Sequence, residues 1–343
     1  MTVTTIQPPA QPRRSRARRS SLARTLTALA LAATPIGLAA CGDDEKDTSS
    51  SGGSTPAASS TAITKNDANS AITVTLGSKN FTEQQVLGEV YAQALEAAGY
   101  TVKRDFGLGD EKAALKALKE KQIDAYPEYT GTALGSFFEV PGDEIPKDPT
   151  EAYNLVQSNF EKEGISALKP TPFTSSNEVA VTKATADEHS LVNISDLSHV
   201  DQDFTLYGSP ECRSRIDCLK GLEDVYGLKF KKFTPVDISL RHEVLTSGKA
   251  DVSIVFTTDP QIAREGFVLL KDDKKMFPPY NSTLLARQDV IEKAGPDFEK
   301  TIDLVNTKLD NAVIQELNAK KDIDKESAAD AAKSYLTEFG FVQ

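Results

Sequence analysis

The sequence predicts an α/β protein built as two similar lobes around a cleft. Strand-like and helix-like segments alternate through most of the chain, the pattern that builds sheets covered by helices. The alternation runs twice, once from Ile72 and again from Phe204. Each run also contains a short apolar strand ending on an aromatic residue followed by threonine. The first is Ile123-Asp124-Ala125-Tyr126-Pro127-Glu128-Tyr129-Thr130 and the second is Ala250-Asp251-Val252-Ser253-Ile254-Val255-Phe256-Thr257. Aligned on Asp124 and Asp251, Tyr129 and Phe256 take the same place. Ligands bind at the carboxyl ends of strands in open α/β sheets. A ring from each lobe is therefore expected to face one cleft, which favours an apolar or cationic ligand.

In chain order, residues 1–40 read as a leader. Arg13, Arg14, Arg16, Arg18, Arg19 and Arg24 form a basic start without acidic residues, and the apolar stretch from Thr25 to Ala40 is too short to span a bilayer comfortably. Leu38-Ala39-Ala40-Cys41 resembles a bacterial lipobox, which implies cleavage before Cys41 and a lipid on its thiol. Arg18-Arg19 leaves twin-arginine export open. Residues 41–70 are Ser-, Gly-, Thr- and Asp-rich and read as a flexible tether.

Ile72 to Leu76 then reads as a strand, followed by a helix with Thr82 and Gln85 as a capping box and Gly99 as its stop. Val102–Phe106 is a strand, Glu111–Lys121 a helix, Ile123–Tyr126 a strand. Thr132–Phe138 and Glu151–Glu163 read as helical, Ile165–Leu168 and Glu178–Thr182 as extended. In the second run Phe204–Tyr207 and Leu228–Phe233 are strands around a helix at Leu219–Tyr226. Ser239–Thr246 is a helix, and Val252–Phe256 and Phe267–Leu270 are strands. From about Ala294 the pattern is helical to the end. Mainly parallel sheets are expected.

The 343 residues carry 39 Lys and Arg against 50 Asp and Glu, a net charge of −11, and loss of the arginine-rich leader makes the remainder more acidic still. Nucleic acid is an unsuitable partner for that balance. No segment after the leader has the apolar length of a transmembrane helix. Of the three cysteines, Cys212 and Cys218 remain after Cys41 takes the lipid, and in an exported chain they are expected to bridge, two buried thiols being the alternative.

Catalysis finds little support. His189, His199 and His242 show no metal-ligand spacing and read as lone surface or capping residues. No nucleophile elbow is present. Gly107-Leu108-Gly109-Asp110 is neither a Walker loop nor a dinucleotide fingerprint and reads as a turn leading into a helix. No metal, no cofactor and no enzyme activity are expected. Binding has more candidates. Lys79 lies at a helix start, where positive charge and free amides can meet an anion, and Thr132 could donate a hydroxyl. Arg213 and Arg215 fall inside the Cys212–Cys218 loop, where a bridge would hold a guanidinium with reduced freedom. Tyr280 follows two prolines in Phe277-Pro278-Pro279-Tyr280-Asn281, which fix the backbone approaching it. Taken singly, each reads first as a surface group; together with two cleft-facing rings they point to a binding site.

Five segments in order, Gly77-Ser78-Lys79-Asn80-Phe81-Thr82-Glu83-Gln84, Tyr126-Pro127-Glu128-Tyr129-Thr130-Gly131-Thr132, Phe256-Thr257-Thr258-Asp259, Leu270-Lys271-Asp272-Asp273-Lys274 and Pro278-Pro279-Tyr280, resemble the substrate-binding lipoproteins of osmoprotectant ABC importers, the glycine betaine/choline/carnitine receptor family. The resemblance runs from about Thr73 to Phe341. It implies a type II periplasmic-binding-protein fold, with residues 71–174 and 282–343 as a discontinuous first lobe and 175–281 as the second. Two hinge crossings would lie near Phe173–Asn177 and Phe277–Asn281, with the C-terminal helices returned to the first lobe. It also implies an aromatic cage for a quaternary ammonium group: Tyr129 and Tyr280 match cage tyrosines, Phe256 keeps a ring where many relatives have tyrosine, and Asn177 replaces another. Lys79, Thr132 and Arg215 match groups that hold a ligand carboxylate. The implied function is a monomeric, lipid-anchored receptor on the extracytoplasmic face of the cell membrane, passing a quaternary-ammonium osmoprotectant such as glycine betaine or choline to ABC permease subunits. The alternatives are a receptor for another small zwitterion or cation, such as an amino acid or polyamine, an extracellular enzyme that kept the shape, and a sensor domain.

Overall fold

Residues 62–343 are described by a computed structural model. The leader, Cys41 and most of the expected tether lie outside them. The described chain forms two five-stranded sheets. In chain order the strands are β1 (Thr73–Gly77), β2 (Thr101–Asp105), β3 (Ala125–Tyr129), β4 (Ile165–Ala167), β5 (Asn177–Val181), β6 (Thr205–Gly208), β7 (Lys232–Pro235), β8 (Val252–Phe256), β9 (Val268–Leu270) and β10 (Ser282–Arg287). The first sheet has the order β2-β1-β3-β10-β4 and the second β7-β6-β8-β5-β9. The two-lobe arrangement is therefore observed, but the sheets are mixed rather than mainly parallel. In each, the fourth strand runs antiparallel to both neighbours: β10 against β3 and β4, β5 against β8 and β9. Those are the strands that begin immediately after the chain changes sheet. The two crossing segments meet in an antiparallel bridge between Thr174 and Asn281, and the Ser175 amide donates to the Tyr280 carbonyl at 3.0 Å.

The helix Thr82–Ala97 is the spine of the first lobe. Val86, Leu87, Val90, Tyr91, Ala94 and Leu95 are buried along it. The helices Pro296–Asn306, Asn311–Asp322 and Ala328–Glu338 bring Phe298, Ile302, Val305, Ile314, Tyr335 and Leu336 into the same core, so the C-terminal segment packs on the first sheet. The expected capping box does not form: Phe81 is the N-cap, and the Thr82 hydroxyl donates to Asp322 at 2.5 Å. Gly99 does end the helix. Its φ of +102° is open to glycine without strain, and a Cβ there would lie 2.4 Å from the Asn66 carbonyl oxygen.

That contact marks a correction at the tether. Residues expected to be loose up to 70 are docked from Ile63 onward. The Ile63 amide donates to the Phe341 carbonyl at 2.8 Å, Asn66 to Ala98 at 3.0 Å, and Asn69 is buried with its side-chain amide on the Ala98 carbonyl at 3.0 Å. Backbone and amide hydrogen bonds hold this stretch, with Ile63 alone packed against the first-lobe core, so its polar composition gave no warning. In the second lobe the expected strand Leu228–Phe233 is shifted to β7, and the expected helix Ser239–Thr246 is broken into turns at Ile238–Leu240 and Glu243–Thr246. Among the described residues no helix is long and apolar enough to cross a membrane, and no three His, Cys, Asp or Glu are grouped to hold a metal.

Candidate functional site

β3 prepares the site. All five of its residues are buried, including Pro127 and Glu128. It pairs with β1 only at Ala125, so Pro127, which has no amide proton to give, sits where that ladder has already ended. Beyond this divergence the chain turns into the helical segment from Thr130. Gly131 allows the second crossing to lie against that turn: a Cβ would fall 2.8 Å from both the Pro279 oxygen and a Tyr280 ring carbon. A second support is the glycine turn, whose Gly107 and Leu108 amides donate to the Ser78 carbonyl and hold the Lys79 loop in place.

One cavity between the sheets is lined by Lys79, Tyr129, Thr132, Asn177, Arg215, Phe256 and Tyr280, all seven residues picked out above. Phe81, Ser175 and Arg241 line it as well. Phe81 joins the rings of the two lobes, 6.3 Å from Tyr129 in a stacked arrangement and 5.3 Å from Phe256. It stood in the first quoted segment, two residues from Lys79, and its aromatic type was the available signal. Arg241 had none: its guanidinium lies 4.7 Å from the Phe256 ring centre, and nothing in the surrounding sequence marks it.

The polar groups are tightly partnered. Lys79 is buried, pairs with Glu128 at 2.5 Å, and holds its ammonium 4.6 Å from the Tyr129 ring centre. Burial pushes the Glu128 carboxyl up, while the Lys79 charge and the Tyr129 amide, donating at 2.7 Å, oppose the rise. Arg215 grips Asp217 with two nitrogens, reaches Glu111 at 3.4 Å, and donates to the Thr132 hydroxyl at 3.4 Å, tying the second lobe to the first. Burial alone would raise the Asp217 carboxyl; the Arg215 guanidinium and the Tyr280 hydroxyl override it and hold the group below its ordinary value. Asn177 does not face the cavity as a substitute ring. Its amide donates to the Asp217 backbone and carboxylate at 3.0 and 3.1 Å. The groups expected to clamp a carboxylate thus meet in the cavity, but Lys79 and Arg215 already hold carboxylates of the chain itself.

Cys212 and Cys218 are joined in a disulfide, their Cα atoms 5.1 Å apart. The bridged loop sends Arg215 inward, whereas Arg213 lies over the Phe233 ring at 4.7 Å. His242 corrects the surface reading: it is buried, with Nε2 2.8 Å from an Asp259 oxygen that Arg241 also holds.

A family model described as the substrate binding domain of ABC-type glycine betaine transport systems matches residues 72–338. The chain belongs to that family. It is a family of substrate-binding domains rather than of enzymes. A glycine-betaine-binding protein of Pseudomonas aeruginosa is 32% identical to this family member over 279 residues, 78% of this chain and 88% of the relative. An ergothioneine transport permease/ergothioneine binding protein of Helicobacter pylori is 30% identical over 267 residues, 77% of this chain; this chain spans 47% of that longer protein. Among solved structures, a glycine betaine/carnitine/choline ABC transporter protein superposes with a TM-score of 0.63 at 26% identity, covering 77% of this chain and 98% of that chain. The two-lobe, type II periplasmic-binding-protein architecture is thus shared with other substrate-binding domains of this family.

Proposed function

We propose that this protein is a non-enzymatic extracytoplasmic receptor that captures a quaternary-ammonium osmoprotectant and presents it to an ABC importer. The observation that supports it most is the ring set Phe81, Tyr129, Phe256 and Tyr280 around one cavity, with a lysine ammonium already 4.6 Å from the Tyr129 ring centre. A quaternary ammonium has no N–H to donate, so ring faces, worth roughly 0.5–2 kcal/mol each, are the groups that can bind it. Lys79, Thr132 and Arg215 form the polar wall opposite the ligand's other end, and Asn177 steadies it through Asp217. A polyamine fits less well. It needs free carboxylates to accept its N–H groups, and the candidates Glu128 and Asp259 are held by Lys79 and Arg241.

The test is a thermal-unfolding titration of the purified protein with glycine betaine, choline, carnitine, proline and arginine. A ligand at about 100 times its dissociation constant should add about 2.7 kcal/mol of stability. A clear shift with arginine and none with any quaternary ammonium compound would remove this reading. The same proposal holds the mature protein at the membrane through a lipid on Cys41, working as a monomer with the permease. Cys41→Ser should then release it from the membrane fraction, and retention there would refute the anchor.

A further inference from the structure

The second lobe carries a groove of about 500 Å³ that shares no lining residue with the ligand cavity. Arg213, Lys229, Lys231 and Lys232 line it, and all four are exposed. Phe230 and Phe233 lie half-buried in it, packed on the second-lobe core. Glu223 is the one acid among the described residues that line it. The cations stand out because the chain as a whole is acidic, with 50 Asp and Glu against 39 Lys and Arg. Among the described residues none of the four forms an ion pair, whereas their neighbours Arg215 and Lys220 are held by Asp217 and Asp224. The groove is also firmly built. The Arg213 guanidinium lies 4.7 Å from the Phe233 ring centre, which covers its flat face and leaves its N–H edge for a partner. The Lys229 amide donates to the buried Asp201 carboxylate at 2.5 Å, and the Lys231 amide to the Asp201 carbonyl at 3.0 Å. The Cys212–Cys218 bridge fixes the loop that carries Arg213. Four like charges are thus held together, and no carboxylate among the described residues pairs with them.

We propose that this groove is a seat for phospholipid phosphates, by which the second lobe rests on an anionic bilayer surface. A guanidinium stacked on a ring with its edge free suits phosphate oxygens, and the three lysines around it supply point charges. The two half-buried rings give the apolar margin that suits a headgroup boundary. An acidic protein strand is less well served. β7 is the edge of its sheet, but it is four residues long and ends on Pro235, which has no amide to pair. A substrate-binding domain of an ABC transport system works beside a membrane, and the net negative charge of this chain favours holding the rest of its surface away from anionic lipid. The groove would then set which face of the protein turns towards the bilayer. This seat is independent of which ligand the cavity takes.

Vesicle sedimentation tests this with the chain from residue 42 onward, which holds both lobes entire without the leader or Cys41. The vesicles are phosphatidylcholine alone, or equal parts of phosphatidylcholine and phosphatidylglycerol. Binding to the mixed vesicles only is expected, weakening as salt is raised. Each basic residue near such a surface is worth about fivefold in partitioning, so Lys229→Glu, Lys231→Glu and Lys232→Glu together should lower it about a hundredfold. Lys103→Glu, Lys162→Glu and Lys333→Glu change the net charge equally at exposed sites of the first lobe and should lower it far less. Equal losses in the two triple variants overturn the proposal, because net charge alone would produce them. Equal binding to both kinds of vesicle, or to neither, overturns it as well. Binding of polyglutamate without binding of vesicles gives the groove to an acidic protein segment and overturns the bilayer seat. Should the first triple variant not fold, Lys231→Glu and Lys232→Glu singly should each cost about fivefold. Titration of the folded lysine variants with glycine betaine should match the unaltered protein, so that failure of the bilayer seat leaves the receptor reading standing.

Discussion

Asn177 occupies a position where the family resemblance implied a tyrosine, and at the edge of the cavity its side-chain amide serves the Asp217 backbone and carboxylate. Asn177→Ala should orphan part of Asp217, costing about 1–3 kcal/mol of stability and loosening Arg215; chemical denaturation with ligand titration would measure both. Tyr129→Ala and Tyr280→Ala should each weaken the bound cation by roughly three- to thirty-fold, the free energy of one ring face, and unchanged affinity in both would dismiss the cage. A further residue controls pH dependence. Glu178 on β5 is raised to about 7 by burial and by the nearby Asp272 charge. The folded state then holds a proton that the unfolded chain has released between its ordinary carboxyl range and about pH 7, so stability should fall as pH rises through that window and level off above it. At about 1.4 kcal/mol per unit of pKa change, Glu178→Gln should flatten the profile measured by denaturation from pH 5 to 8 and raise stability at the alkaline end. At this scale the sequence was informative where residue type and motif coincided, as at Tyr129, Tyr280 and Arg215. Phe81 and Asp217 lie two residues from Lys79 and Arg215, but no spacing marks them as part of the site. Arg241 acquires its place at the Phe256 ring only from tertiary neighbours, which no local pattern reports.

The disulfide loop is the element with the most direct bearing on the cavity, since it turns Arg215 inward while Arg213 packs outward on Phe233. Replacing both cysteines by serine should cost about 2 kcal/mol through the freed unfolded chain and lower ligand affinity as Arg215 gains freedom; a variant with lowered stability but intact affinity would show that the loop is held by packing alone. β10 was the strand that sequence patterning missed. Ser282 to Ala286 are all buried, so no alternation of polar and apolar residues marks it, and it follows a proline-rich crossing. The helix expected at Ser239–Thr246 failed for the opposite reason. Arg241 and His242 are polar residues in the middle of it, and both turn inward to Asp259, a contact that outweighs local helical preference.

Over the whole molecule, the helix Asn311–Asp322 belongs to the first lobe yet touches the second. The Asn318 amide donates to Glu83 and to the Thr258 carbonyl, Gln315 donates to the Thr257 carbonyl, and Gln261 reaches back to Asp322. The observed arrangement thus has a latch away from the cavity, and Gln315→Ala combined with Gln261→Ala should shift the protein toward a more open form, seen as a larger radius of gyration in solution scattering. An unchanged radius would show that the cavity contacts alone hold the lobes. The alternating pattern announced two lobes, but the return of β10 to the middle of the first sheet was invisible to it, because strand order is a property of the assembled sheet. That return has a consequence for the timing of assembly. β10 sits between β3 and β4, so those neighbours, which leave the ribosome early, lack the strand between them until residues 282–287 follow. The second sheet, drawn from one continuous stretch, has its last strand, β9, by residue 270, before β10 is made. The half that is made first is therefore the half that is finished last, and its unpaired strands are the part of the nascent chain in need of shelter.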